Sequence, residues 1–240
     1  MKWKTALTTI TDGVESIRGQ ALSDLIQKKS FVEVIYLLWT GKMPTENEIK
    51  MLNAFFVACI DHGVGAPSAT VARTVVSTGN STHTALSAGI AALGDLHGGA
   101  IEGAAKFFKE HAQEKNVAEL IKTLKEKKII IPGFGHKILE KDHRVSALFA
   151  IAKETGIYGA HCALAENVEI TLNAISSKKL PLNIDGGMAA IILDMGFDVE
   201  IAKGFFMVGR VPGLIAHINE ERISDKGLRR IDEGDIEYMP

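Results

Sequence analysis

The stretch Ser30 to Phe56, SFVEVIYLLWTGKMPTENEIKMLNAFF, contains two helix starts and one helix stop. Ser30 with Glu33, and again Thr45 with Glu48, have the spacing of a capping box, in which a hydroxyl and a carboxylate three residues apart satisfy donors of the first helical turn. Behind the first box Phe31, Val34, Ile35 and Leu38 form an apolar stripe at helical spacing, and behind the second Ile49, Leu52 and Phe56 do the same. Gly41 and Pro44 break the chain between them. Two helices joined by a short loop are predicted here. The same periodicity runs outward through most of the sequence, and alternating strand-like patterns are nearly absent, so the expected fold class is all-α.

A chain of 240 residues is one large domain or two small ones, and either can bury a core. Lys and Arg number 27 against 29 Asp and Glu, which leaves no global positive charge to hold nucleic acid or an acidic membrane. Any anionic ligand must be met locally. Cys59 and Cys162 are far apart in apolar surroundings, as expected of buried thiols in a reducing compartment, and a cytoplasmic location is the default. The N-terminus, Met1-Lys2-Trp3-Lys4, leads into a Thr-rich stretch and not into an apolar signal region. No run of the roughly 18 apolar residues that span a membrane is apparent, so the chain reads as soluble and unprocessed.

From Thr82 to Leu93 the inward candidates Ala85, Ala88, Gly89 and Ala92 are all small, which suits a helix that approaches a neighbour closely, as at a subunit interface. Helices near 101–112 and 116–127 follow, then the loop Ile131-Pro132-Gly133-Phe134-Gly135-His136. The segment from about 100 to 190 is Lys-rich and punctuated by loops, and it reads as a small domain inserted into a larger helical one made of 1–99 and 191–240.

Three polar residues stand beside glycines where a helical core would not put them: His97 before Gly98-Gly99, His136 after Gly135, and Asp185 before Gly186-Gly187. Glycine permits close approach of backbone to a ligand, and loops on a rigid scaffold often carry catalytic groups. A single histidine or aspartate in such a place is more often a cap or a turn residue; three together carry more weight. The sequence contains no Walker A pattern, no G-x-G-x-x-G, no H-E-x-x-H and no paired C-x-x-C. His161-Cys162 reads as helix packing.

The order and context of these residues resemble the citrate synthase superfamily over essentially the whole chain. Arg18-Gly19, Glu33-Val34, Tyr36-Leu37-Leu38, Gly41 and Pro44 are similar to an early family stretch, and Asp61-His62-Gly63 with Ala66 and Ser68 to a second. His97-Gly98-Gly99-Ala100, then Pro132 to His136 with Asp142 and Arg144, then Asp185 resemble the family's His, His, Asp triad in order. Gly209-Arg210, Gly213, Ala216-His217 and Glu220 match a last motif. The resemblance implies a two-domain helical fold that makes or breaks the carbon-carbon bond between acetyl-CoA and oxaloacetate.

In that chemistry the thioester methyl needs a carboxylate base, and the thioester oxygen needs a donor where enolate charge develops. The resemblance assigns these roles to Asp185 and His97, and gives His136 the hydroxyl side of the bond. It puts His62, Arg144, Arg210 and a tail arginine, Arg230 in preference to Arg229, on the substrate carboxylates, the last from a partner subunit. Gly133, Phe134, Gly135, Lys137 and Lys141 are the candidates against coenzyme A, which enters as part of the substrate; no permanently bound cofactor and no metal is expected. Within the superfamily the short length, Asn183-Ile184-Asp185-Gly186 and the tail Gly227 to Pro240 resemble citryl-CoA lyase and the C-terminal module of ATP-citrate lyase. His97 itself is closer to the synthase pattern. The alternatives are a citrate or 2-methylcitrate synthase and an inactive CoA-ester-binding paralogue. A homodimer, a place in the tricarboxylic acid cycle, and closure of the two domains about Gly98-Gly99 and Gly186-Gly187 are further expectations.

Overall fold

The computed structural model describes residues 2–135, 141–224 and 227–239. Its N-terminus departs from the all-helical expectation with a small antiparallel sheet of order β1-β2-β3: β1 (Thr8–Thr11), β2 (Val14–Ile17) and β3 (Gln20–Ala21). The two connections, Asp12-Gly13 and Arg18-Gly19, have φ of 50°, 77°, 50° and 80°, the positive values of the hairpin turn whose twist matches paired strands. Strands of four residues or fewer carry too little alternation to register against a helical background. The Arg18 guanidinium fixes the sheet to the body by donating to the Leu38 carbonyl from Nε at 3.1 Å and Nη2 at 2.9 Å.

After α1 (Leu22–Lys28), both predicted capping boxes are formed, Ser30 with Glu33 opening α2 (Phe31–Thr40) and Thr45 with Glu48 opening α3 (Glu46–Cys59). Gly41 ends α2 in the left-handed region at φ 74°. The remaining helices are α4 (Pro67–Ser77), α5 (Thr82–Ala91), α6 (Ala100–Glu110), α7 (Val117–Glu126), α8 (His143–Thr155), α9 (Ala160–Ile175), α10 (Ile184–Asp194) and α11 (Ala202–Ile223).

α10 is the centre of the molecule. Met188, Ala189, Ala190, Ile191 and Ile192 have no solvent exposure, as expected of a helix apolar all round. It packs on α6, α8 and α9. One apolar core joins Met51, Leu52 and Phe55 of α3 to Phe108 of α6, Leu148 of α8, Met188 of α10 and Phe205 of α11. That core is continuous across the boundaries placed at 99 and 190, and the second boundary falls inside α10. A smaller cluster joins Ala69 and Ala72 of α4, Ala85 of α5, and Leu214 and Ile218 of α11. The small face of α5 is therefore used within the chain: a Cβ on Gly89 would lie 3.0 Å from Ala72 Cβ and from Ser68 O.

The segment Val199–Ile223, 25 residues, is long and apolar enough to cross a membrane by composition alone, contrary to the expectation that no such run exists. It packs against α3, α4, α5 and α6 and buries Arg210 and Glu221, the behaviour of a core helix. Cys59 and Cys162 are buried free thiols, as expected.

Candidate active site

Asp185 lies in the first turn of α10, which Asn183 caps by accepting from Gly186 N at 3.2 Å. Its Oδ1 is out of solvent contact and has no hydrogen-bond partner among the described residues. Burial pushes the Asp185 carboxyl above the ordinary carboxylate range, Asp142 adds to the push, and Arg144 and Arg210 oppose it. An unpaired buried carboxylate oxygen costs stability and is kept where a proton must be handled.

His97 stands on a tight turn between α5 and α6, closed by Gly94 N donating to His97 O at 2.9 Å and His97 N to Gly94 O at 2.8 Å. The backbone N–H of Ser68, at the start of α4, donates to His97 Nε2 at 3.2 Å, and Ser68 Oγ lies 2.9 Å from the same nitrogen. A backbone amide can only donate, so Nε2 offers its lone pair and Nδ1 carries the proton. Burial, then the charges of Arg210 and His62, hold the His97 pKa below the ordinary histidine value. The ring is a neutral Nδ1–H donor at pH 7.

Arg210, in α11 and 3% exposed, donates from Nε to the Cys59 carbonyl at 2.8 Å and packs its guanidinium over the Phe206 ring, 4.8 Å from the centroid. The same ring fills the space beside Gly98. Arg144 Nη1 lies 3.5 Å from His62 Nδ1. His62, His97, Arg144, Asp185 and Arg210 thus gather around one site.

Asp142, which the sequence reading did not include in the site, holds that site together. Its buried carboxylate accepts from Arg144 Nε at 3.0 Å and Nη2 at 2.8 Å, and from Ile184 N, next to Asp185, at 3.0 Å. These hydrogen bonds and the Arg144 charge keep the Asp142 carboxyl below its ordinary 3.8, although burial pushes the other way. A depressed carboxylate pKa stabilises the fold above the unfolded value and loses that contribution as pH falls through the folded one. Asp142→Asn is accordingly expected to cost about 3 kcal/mol at pH 7 in urea unfolding, as for a broken buried pair. The difference from wild type should shrink below about pH 4.

The loop glycines have an architectural place. Gly133, at φ 87°, lets the loop lie directly on α10, where a Cβ would be 2.6 Å from Gly186 Cα. Asn183 N donates to Gly133 O at 3.0 Å and Gly135 N to Pro181 O at 2.7 Å, so the loop and the Asp185 helix are stitched together. Strain and clash together predict a loss of about 3 kcal/mol for Gly133→Ala, measured by urea unfolding. Phe134 lines an apolar cavity of about 390 Å³ with Ile130, Leu172 and Leu180.

The remaining predicted residues divide. Lys141 is exposed beside Val145 and Lys153. His136 and Lys137 lie outside the described residues. Arg229 is engaged in its own chain by Glu221, through Nε at 2.5 Å and Nη2 at 2.7 Å, whereas Arg230 is exposed.

Residues 2–54 and 45–231 match the model of the family described as "Citrate synthase, C-terminal domain". The chain belongs to the citrate synthase family, and its helical fold with a His, Arg and Asp cluster at the head of α10 is a member's fold. Within that family it is similar to the solved citryl-CoA lyase from Hydrogenobacter thermophilus, with 43% identity, a TM-score of 0.93, and coverage of 99% of this chain and 94% of that one. ATP citrate lyase from Methanothrix soehngenii, solved in complex with citrate and coenzyme A, is 28% identical at a TM-score of 0.90, over 100% of this chain and 42% of that one. "Citrate synthase 2" of Bacillus subtilis (strain 168) is 32% identical over 192 residues, 79% of this chain and 51% of that protein. This chain spans about half the length of that curated relative, and less of the ATP-citrate synthase chains it also matches.

Proposed function

We propose that the chain is a citryl-CoA lyase that cleaves citryl-CoA to acetyl-CoA and oxaloacetate. The observation that carries the reading is the buried Oδ1 of Asp185, without a hydrogen-bond partner among the described residues, in a carboxyl whose proton affinity is raised, at a site with the neutral donor His97. Cleavage starts with Asp185 protonated, and the raised pKa favours that form. The family's second histidine, His136, accepts the tertiary hydroxyl proton. The carbon-carbon bond breaks towards the thioester, and its electron pair becomes the enolate of acetyl-CoA. His97 Nδ1–H donates to the thioester oxygen, where charge develops. Asp185 delivers its proton to the enolate carbon. Arg144, Arg210 and His62 hold the carboxylates that leave as oxaloacetate.

Similarity over nearly the full length of a citryl-CoA lyase favours lyase over synthase. Two assays test this. Citryl-CoA should release oxaloacetate, and acetyl-CoA with oxaloacetate should release little free thiol. The reverse pattern would support a citrate synthase, and activity in neither would support a CoA-ester-binding protein.

The reading also includes a homodimer in which Arg230 serves the neighbouring subunit, and a closure of segment 100–190 over oxaloacetate. Closed two-fold assemblies are the commonest soluble oligomers. An active monomer in light scattering, or scattering unchanged by oxaloacetate, would remove the respective part.

A further inference from the structure

A run of hydrogen bonds leads from the tail to the turn that carries His62. Arg229 holds Glu221 with two donors, and its backbone N–H donates to Ser77 Oγ at 3.1 Å. The Glu221 side chain, 2% exposed, also accepts from Arg73 Nε at 2.6 Å. Arg73, buried in α4, reaches Glu220 and, at 3.3 Å, His217 Nδ1 through Nη1. His217 Nε2 lies 2.9 Å from Asp61 Oδ1, and Asp61 Oδ2 accepts from Gly63 N at 3.0 Å.

The proton positions are fixed. A guanidinium only donates, so His217 Nδ1 is the acceptor and Nε2–H donates to Asp61. α11 also meets this turn backbone to backbone, since a Cβ on Gly213 would lie 2.2 Å from Ile60 O. The Asp61–Gly63 turn therefore takes its position from α11, with α4 behind it. His62, inside that turn, faces Arg144.

We propose that His217, backed by Arg73 and Glu221, is a positioning residue that holds the Asp61–Gly63 turn so that His62 meets the substrate carboxylate beside Arg144. The proposal rests on the reading that His62 and Arg144 bind that carboxylate. It adds a link between the anchored tail and the substrate turn.

His217→Leu removes both hydrogen bonds, while His217→Gln can return an N–H donor to Asp61. In citryl-CoA cleavage the leucine variant should raise KM about tenfold and change kcat by less than about threefold, the size of one charge-assisted hydrogen bond felt in binding. The glutamine variant should recover most of the loss. Independently of turnover, the His62 ring resonances should move in His217→Leu and return in His217→Gln. A wild type that does not cleave citryl-CoA sinks the functional reading alone, and the resonances then decide the positioning role. If His217→Leu does not fold, Asp61→Asn, which keeps an acceptor for Gly63 and loses the one for His217, takes its place with the same readouts. Unmoved His62 resonances, or a wild-type KM, in a folded variant would overturn the proposal.

Discussion

Asp185→Asn is expected to lower citryl-CoA cleavage by about three orders of magnitude while raising the melting temperature. An amide has no proton to give the enolate carbon, and positioned acid catalysis is worth roughly 10² to 10⁴ in rate. The stability half follows from the sign of the pKa shift. Burial raises the folded pKa of Asp185 above its ordinary 3.8, so ionising this group costs folding free energy once the pH exceeds that value. Asparagine removes that cost. The excess stability of the variant should be absent near pH 3 and grow as the pH rises above about 4, levelling off only beyond the folded pKa. Thermal melts across pH with initial rates at pH 7 check both halves, and a wild-type rate would eliminate Asp185 as the acid.

His97→Ala should lower turnover by about 10² to 10³, the usual consequence of removing a donor from a developing oxyanion. The geometry makes this prediction specific. Ser68 supplies His97 Nε2 with both a backbone N–H at 3.2 Å and a hydroxyl at 2.9 Å. Ser68→Ala leaves the backbone donor, which alone fixes the tautomer, so it should cost less than about tenfold. Steady-state kinetics on the two variants check the contrast. Equal losses would mean that the hydroxyl, and not the amide, orients the ring.

Local chemistry was legible in the sequence. The two capping boxes are formed because their partners lie three residues apart, and Gly41 ends α2 as a left-handed cap. His97 and Asp185 stood out because each precedes glycines, although those glycines turn out to be places of tight packing: Gly98 meets Phe206, and Gly186 meets the Gly133 backbone. Long-range partners were not legible. Asp142 stands two residues from Arg144 in the sequence, but its bond to Ile184 N spans 42 residues. The His217 network joins α4, α11 and the tail, which no spacing rule connects. Sequence cannot tell which helix the small face of α5 admits; at Gly89 it is α4 of the same chain. The N-terminal hairpins were hidden by strand length, although Asp12-Gly13 between Thr11 and Val14 is a turn signal in its own right.

The most direct test of the account is the identity of the bond that breaks. In a single turnover of citryl-CoA by the wild-type protein, followed by mass spectrometry, acetyl-CoA and oxaloacetate should appear together in equal amounts. Citrate with free coenzyme A would mean that the thioester is hydrolysed and the carbon-carbon bond left intact, and would contradict the roles given to Asp185 and His97.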